Sequence, residues 1–191
     1  MHDASNWASL MRDKAAFTDK INQLLDTLAI DCAKLTLDHV AIRTNKAEVT
    51  HLLAERLSER GQLISQATVN RRPIHIYQLD APLQFGPWQV DLVELPFPHH
   101  KTYPFQSWEH VEFVIPCHHA TMAALEETLD MRFPGLLSRA AAISTVTVKR
   151  SEPQVAGERL ANPTIAFKQH GVCVKFHPYS LSEIIASEAS V

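Results

Sequence analysis

Leu37-Asp38-His39-Val40-Ala41-Ile42 returns in the second half of the chain as Trp108-Glu109-His110-Val111-Glu112-Phe113. Each copy opens a short alternating run with an acid and a histidine. At a side-chain period of two, Val40 and Ile42 share one face, with Leu37, His39 and Ala41 on the other. In the second copy Val111, Phe113 and Ile115 form the apolar face and His110 and Glu112 the opposite one. Each copy leads into a helical stretch and then three strand-like runs. This order predicts an α+β fold, in which two tandem βαβββ modules form a curled mixed sheet around a central cavity, with helices outside.

Working outward, residues 35–98 make the first module and 107–177 the second, flanked by N-terminal helices over 1–34 and a C-terminal helix over 178–191. Trp7, Leu10, Met11, Phe17, Ile21, Leu24, Leu25 and Leu28 fall near helical spacing, predicting two helices or one bent helix across 4–31. Asn45 and Glu48 have capping-box spacing, opening a helix with Val49, Leu52, Leu53 and Leu57 on its apolar side, ended by Gly61. Strands are expected at 62–69, 73–79 and 88–95, separated by turn residues that include Ala81-Pro82 and Gly86-Pro87. In the second module a helix carrying Met122, Leu125, Leu129 and Phe133 precedes strands at 143–149, 164–168 and 172–176. His170-Gly171 marks a hairpin, and Ser180 with Glu183 caps the last helix. The long connection 150–163 reads as functional or mobile.

Composition narrows the setting. The 191 residues are 46% hydrophobic, enough for one good core or two small modules that share one. Dispersed charges sum to −3, without the basic stripe that nucleic acid requires. No run approaches the roughly 18 apolar residues of a membrane span, and the first residues lack a signal-peptide pattern. Cys32, Cys117 and Cys173 are odd in number and scattered, which speaks against disulfides and zinc fingers. A cytoplasmic protein acting on a small molecule, with no nucleic-acid or membrane partner, is expected; the oligomeric state is open.

The chemistry gathers on the strand faces turned away from the helices. There lie His39, then His110 and Glu112, then Cys173, Lys175 and His177. Burying such groups unpaired costs roughly 2–7 kcal/mol, so they must be bonded or exposed. The run 88–95 is apolar on both faces, and parity cannot choose between Asp91 and Glu94. The repeat does choose, because Val93-Glu94-Leu95 matches Val174-Lys175-Phe176 and sets Glu94 opposite Lys175. His39, His110 and Glu94 are two imidazoles and a carboxylate, a facial set suited to iron(II), manganese or zinc. A strand histidine beside an acid is also the ordinary pattern of a half-buried, hydrogen-bonded residue; the duplication and the waiting carboxylate favour a metal. Asp38 and Glu109 fall on the other face, as surface groups or as partners of the imidazoles. His99-His100 and His118-His119 read as solvated pairs, and His75 and Tyr77 line the cavity or face solvent. No GxSxG, P-loop, HExxH or GxGxxG motif is present.

LDHVAIR at 37–43, RRPI at 71–74, VELPFP at 93–98, YP at 103–104, WEHVEF at 108–113, ERLANPT at 158–164 and VKFHPYSLSEIIASE at 174–188 resemble the YecM family. The paired modules resemble the wider vicinal oxygen chelate superfamily, the fold of glyoxalase I, extradiol dioxygenases and fosfomycin- or bleomycin-resistance proteins. That resemblance implies a divalent metal ion (iron, manganese, zinc or nickel) at the module junction. Its ligands would come from the first and fourth strands of each module, here His39, Glu94, His110 and Lys175. Lysine departs from the pattern, being a poor ligand unless deprotonated. Three ligands plus a cation follow, with Lys175, His177 and Glu112 as the candidate catalytic groups and Arg43 at the rim. Lys175 either receives an anionic substrate group or pairs with Glu112 across the sheet. The implied function is a metal-dependent enzyme acting on a small oxygen-bearing, anionic substrate. A non-catalytic sequestration protein and a structural domain that has lost its metal are the alternatives.

Overall fold

A computed structural model describes residues 6–69, 71–99, 102–152 and 160–189. Asn6 caps the first helix, α1 (Trp7–Thr27), its side-chain oxygen accepting from Ala8 N–H at 3.0 Å. The expected helical span to residue 31 is cut short. Ala29 takes a positive φ of 51° and Ile30 N–H closes back onto Leu25 O at 2.9 Å, a left-handed stop. One helix and a short 3-10 turn at Cys32–Lys34 result.

The first module is β1 (Thr36–Arg43), α2 (Ala47–Ser58), β2 (Gly61–Val69), β3 (Arg72–Phe85) and β4 (Trp88–Pro96). The capping box expected at Asn45 does not form: Lys46 is the cap position and bonds through no side chain. Asn45 is spent elsewhere, bonding the backbone N–H and C=O of Tyr103 at 2.9 and 2.7 Å. Gly61 belongs to β2 rather than ending the helix, and a Cβ there would lie 2.1 Å from Gln78 O. β3 runs on through Ala81-Pro82, which occupy an irregular stretch of pairing between Gln78 and Leu83. Its true turn is Gly86-Pro87, between paired Phe85 and Trp88, with Gly86 at φ 56°.

The second module is β5 (Ser107–Val114), α3 (Met122–Arg132), α4 (Leu136–Ala142), β6 (Thr147–Ser151), β7 (Thr164–Gln169) and β8 (Val172–His177), followed by α5 (Leu181–Ala189). An unexpected helix, α4, buries Leu136 and Ala140, and the strand expected from 143 starts only at Thr147, because Val146 N–H turns back onto Ile143 O at 3.0 Å. His170 and Gly171 both hold positive φ, 49° and 85°, in the β7–β8 hairpin. Ser180 and Glu183 form the expected reciprocal cap, at 2.7 and 3.2 Å. Most of the connection read as functional or mobile, 153–159, lies outside the described residues.

The strands form one eight-stranded sheet in the order β2-β3-β4-β1-β5-β8-β7-β6. Within each module the first and fourth strands are parallel neighbours in the same register: Val40 with Val93 and Ala41 with Glu94, then Val111 with Val174 and Glu112 with Lys175. The two modules meet where β1 pairs antiparallel with β5. The helix-side faces join in a continuous core that includes Val40, Phe113, Leu53, Leu129 and Phe176. α1 packs against β5 and β8 and belongs to that core through Leu10, Ile21 and Leu24. Trp108 Nε1–H locks it by donating to Leu10 O at 2.8 Å. Among the described residues no helix is long and apolar enough to cross a membrane.

Candidate metal centre

The β1–β5 seam is irregular twice, and both irregularities serve the histidines. Pairing passes from Leu37–Phe113 to His39–Glu112, so Asp38 is an extra residue on β1. It passes from Ala41–His110 to Ile42–Trp108, so Glu109 is an extra residue on β5. A bulge sets two residues of one strand against one of its partner and upsets strict alternation. Each acid therefore reaches its neighbour's imidazole instead of pointing to the far face. Asp38 Oδ2 lies 2.8 Å from His39 Nδ1, and Glu109 Oε2 bonds His110 Nδ1. Both acids are partners of the imidazoles and are buried, so their surface reading is set aside.

With Nδ1 held, each histidine turns Nε2 toward the junction. One ligand atom from each of His39, Glu94, His110 and Glu112 lies within 4.8 Å of the others. His39 Nε2 is 3.6 Å from Glu94 Oε2 and 3.4 Å from Glu112 Oε1. His110 Nε2 is 3.8 Å from Glu94 Oε1 and 3.0 Å from Glu112 Oε1. His39 Nε2 is fully buried and has no hydrogen-bond partner. A buried nitrogen that makes no hydrogen bond yet faces converging carboxylates at 3.4 and 3.6 Å fits a cationic centre better than a neutral core. Glu112, read from sequence as catalytic or ion-paired, stands as a possible fourth ligand.

The proton balance of the cluster agrees. Burial alone would lower the His39 pKa, but Glu112, Asp38 and Glu94 outweigh it and hold it well above the ordinary value. His110 is raised too, Glu109 and Glu112 prevailing over burial and the Lys175 charge. Glu94 and Glu112 are both lowered against the cost of their burial, by the imidazoles and Lys175. The directions favour charged imidazoles beside charged carboxylates, an arrangement in which a bound cation could take the place of the protons.

Lys175 takes the position that Glu94 holds in the first module, and it is not free. Its Nζ donates to Glu112 Oε1 at 2.5 Å and lies 3.0 Å from His110 Nε2. Its pKa is raised: the Glu112, Glu94 and Glu109 charges more than offset burial. His177 is not part of the His39–Glu94–His110–Glu112 group but forms a second one with Asp38 and His39, its Nε2 3.5 Å from Asp38 Oδ2 and its ring 5.8 Å from that of His39. Asn162 Nδ2 meets His177 Nδ1 at 3.0 Å, and burial lowers the His177 pKa. Arg43 pairs with Glu109 and lies 3.7 Å over the Tyr103 ring, bracing the second histidine from outside. Asp38 does the same for the first, also accepting from Leu181 N–H at 3.0 Å and so tying α5 to the cluster.

The cluster is the floor of a cleft of about 630 Å³ lined by both modules and α5. His99 sits on its lining, while His118 and His119 are exposed and His100 lies outside the described residues. His75 and Tyr77 are not on the lining: His75 packs 4.7 Å from Phe97, and Tyr77 is buried in the core. Asn162, Arg72, Lys149 and Lys168 line the cleft, and the sequence reading gave them no role. The alternation of β6 and β7 was the available signal for the lysines. Nothing local marked Asn162, whose role depends on the distant His177.

Two βαβββ modules sharing one curled sheet, with a buried His/Glu cluster on the seam, define the class of protein. Within that class the chain belongs to the YecM family, whose model, described as YecM protein, matches residues 6–188. It is 35% identical to Protein YecM of Escherichia coli over 97% of this chain and 99% of that one. It is 34% identical to an uncharacterized protein of Haemophilus influenzae, covering 94% of each. A solved structure described as Structural Genomics, Protein EC4020 matches with a TM-score of 0.81 at 32% identity, over 95% of this chain and 92% of that one.

Proposed function

We propose that the protein is a divalent-metal-dependent enzyme of the vicinal oxygen chelate type, with His39, Glu94 and His110 as ligands and Glu112 beside them. The observation that carries this reading is the buried His39 Nε2, which makes no hydrogen bond and faces three groups that can share a cation with it. A metal held there would supply Lewis acidity toward a small substrate that presents oxygens. The chain's own residues provide the rest. Asp38 and Glu109 fix the imidazole orientations. Lys175, 24% exposed, keeps Glu112 charged and sets a fixed positive group beside the substrate space.

The cleft favours this reading over the two alternatives. At about 630 Å³ it is not filled by side chains, as a purely structural relic would be. Apart from histidines, Tyr103 is the one aromatic residue on its lining among the described residues, whereas sequestration of an organic ligand favours an aromatic wall. A cytoplasmic setting is part of the proposal, in keeping with three cysteines that are all free. Metal analysis of protein purified without chelators, alongside His39→Ala, tests it. Stoichiometric iron, manganese, zinc or nickel lost in the variant is expected. A wild-type protein that binds none of them in any redox state would sink the proposal.

A further inference from the structure

The two walls of the cleft are built at equivalent positions of the repeat yet differ in chemistry. Ile76 pairs with Glu94 in the first module as Ala166 pairs with Lys175 in the second. One strand further out, Ser65 pairs with Ile76 as Lys149 pairs with Ala166. The first wall therefore presents Ile74 and Ile76, where the second presents Thr164 and Ala166 flanked by Lys149 and Lys168. α5 adds Leu181, Ile184 and Ile185 to the lining, making an apolar side to the space.

The cations divide into two groups. Arg43 is committed to Glu109, Lys175 to Glu112, and Arg72 Nε to Phe97 O. Among the described residues Lys149 and Lys168 have no hydrogen-bond or ion-pair partner. They lie on adjacent strands, Lys149 opposite Ala166 and Lys168 opposite Thr147, a diagonal separation of about 7–8 Å. That spacing belongs to the backbone; from it both side chains can reach one anion, whose charge relieves their mutual repulsion. Glu188 is the remaining acid on the lining, on α5.

We infer that the cleft takes a small amphipathic anion, its carboxylate or phosphate head between Lys149 and Lys168 and its apolar part against Ile74, Ile76 and α5. This deepens the proposed function by naming the substrate class of the same site, and it rests on the His/Glu cluster being the reacting end. The lysine pair is an anion contact separate from Lys175, which Glu112 already neutralises.

Titration of hexanoate, hexanol and inorganic phosphate into wild type and Lys149→Ala/Lys168→Ala, with zinc affinity measured in parallel, tests it. Hexanoate is expected to bind the wild type and to lose at least about tenfold in the double variant, with zinc affinity unchanged. Both lysines are exposed, so a thermal midpoint equal to wild type is expected and verifies folding. Phosphate binding tighter than hexanoate and equally lysine-dependent supports a phosphate head; the reverse order supports a carboxylate. Hexanol binding as tightly as hexanoate, or anion binding unchanged in the double variant, overturns the inference. Lysine-dependent hexanoate binding in a protein that takes up no zinc, iron, manganese or nickel would support this assignment and remove the metal reading instead.

Discussion

The first module brings His39, Ala41 and Glu94 to the seam; the second brings His110, Glu112 and Lys175 to the equivalent places. The backbone is repeated, bulge for bulge, but the charge is not. Where the first module has a small residue beside a carboxylate, the second has a carboxylate beside an ammonium 2.5 Å away. The outer supports differ as well. Asp38 leans on His177 and the start of α5, while Glu109 leans on Arg43. A duplicated scaffold thus guarantees two opposed histidines, and divergence of two side chains decides what stands around them. One module supplies a carboxylate where the other supplies a fixed positive charge.

The sharpest way to break this comparison is to remove a histidine. His39→Ala is expected to cost more metal affinity than the roughly 10–100-fold typical of outer-sphere changes, with His110→Ala close behind. Competition with a chelator of known affinity measures both. Equal metal binding in either variant would show that the two modules do not meet at a common ion.

Next in size is the pair that only the second module has. Glu112→Ala leaves the Lys175 charge without its closest partner, and is expected to destabilise the protein by about 3 kcal/mol. Glu112→Ala/Lys175→Glu rebuilds the first module's Ala41/Glu94 arrangement in the second. It should recover most of that loss in urea unfolding once zinc is present. If the double variant is no more stable than Glu112→Ala, the pseudo-symmetry is only geometric.

The supports should matter less. Asp38→Asn and Glu109→Gln are each expected to weaken metal binding by about 10–100-fold, as buried carboxylates that orient ligating imidazoles do. Chelator competition again reads it. A change under about twofold in either would mean that backbone packing alone orients that ring.

The smallest effect is on pH. His39 has a folded pKa above its ordinary 6.5, so its stabilisation is present below that value and lost as pH rises through the folded one. Glu112 has a folded pKa below its ordinary 4.5, so its contribution is present above that value and lost as pH falls. Chelator-treated protein should therefore have its highest thermal midpoint between these two values and decline above it. Saturating zinc should move the optimum upward, because ligation requires deprotonated imidazoles. An optimum unmoved by zinc would contradict the cluster as its site.

How much of this was legible without coordinates depends on distance along the chain. The repeat located β1, β5 and the helix-side faces, since period-two patterning is local. It also picked Glu94 over Asp91, because parallel registers repeat when modules repeat. The Ser180/Glu183 cap was legible for the same local reason. Asn45 was not: its competing partner, the Tyr103 backbone, is remote in sequence. α4 was missed because one helical turn of Leu136 and Ala140 has no period distinguishable from that of a strand.

The sequence by itself determined that the chain is two copies of one unit, that each carries a histidine on its first strand, and that a carboxylate and a lysine occupy matched positions. Those facts follow from side-chain period and from self-similarity, which need no third dimension. Only the tertiary structure decided that Asp38 and Glu109 turn inward, because a bulge is a mismatch between two strands and neither strand shows it alone. Only the tertiary structure decided that Glu112 both claims Lys175 and stands among the groups that could hold a metal ion, and that Lys149 and Lys168 lack partners among the described residues. Pairing of charges depends on distances of a few ångströms across strands far apart in sequence, and Coulomb energy at that range is set by the fold.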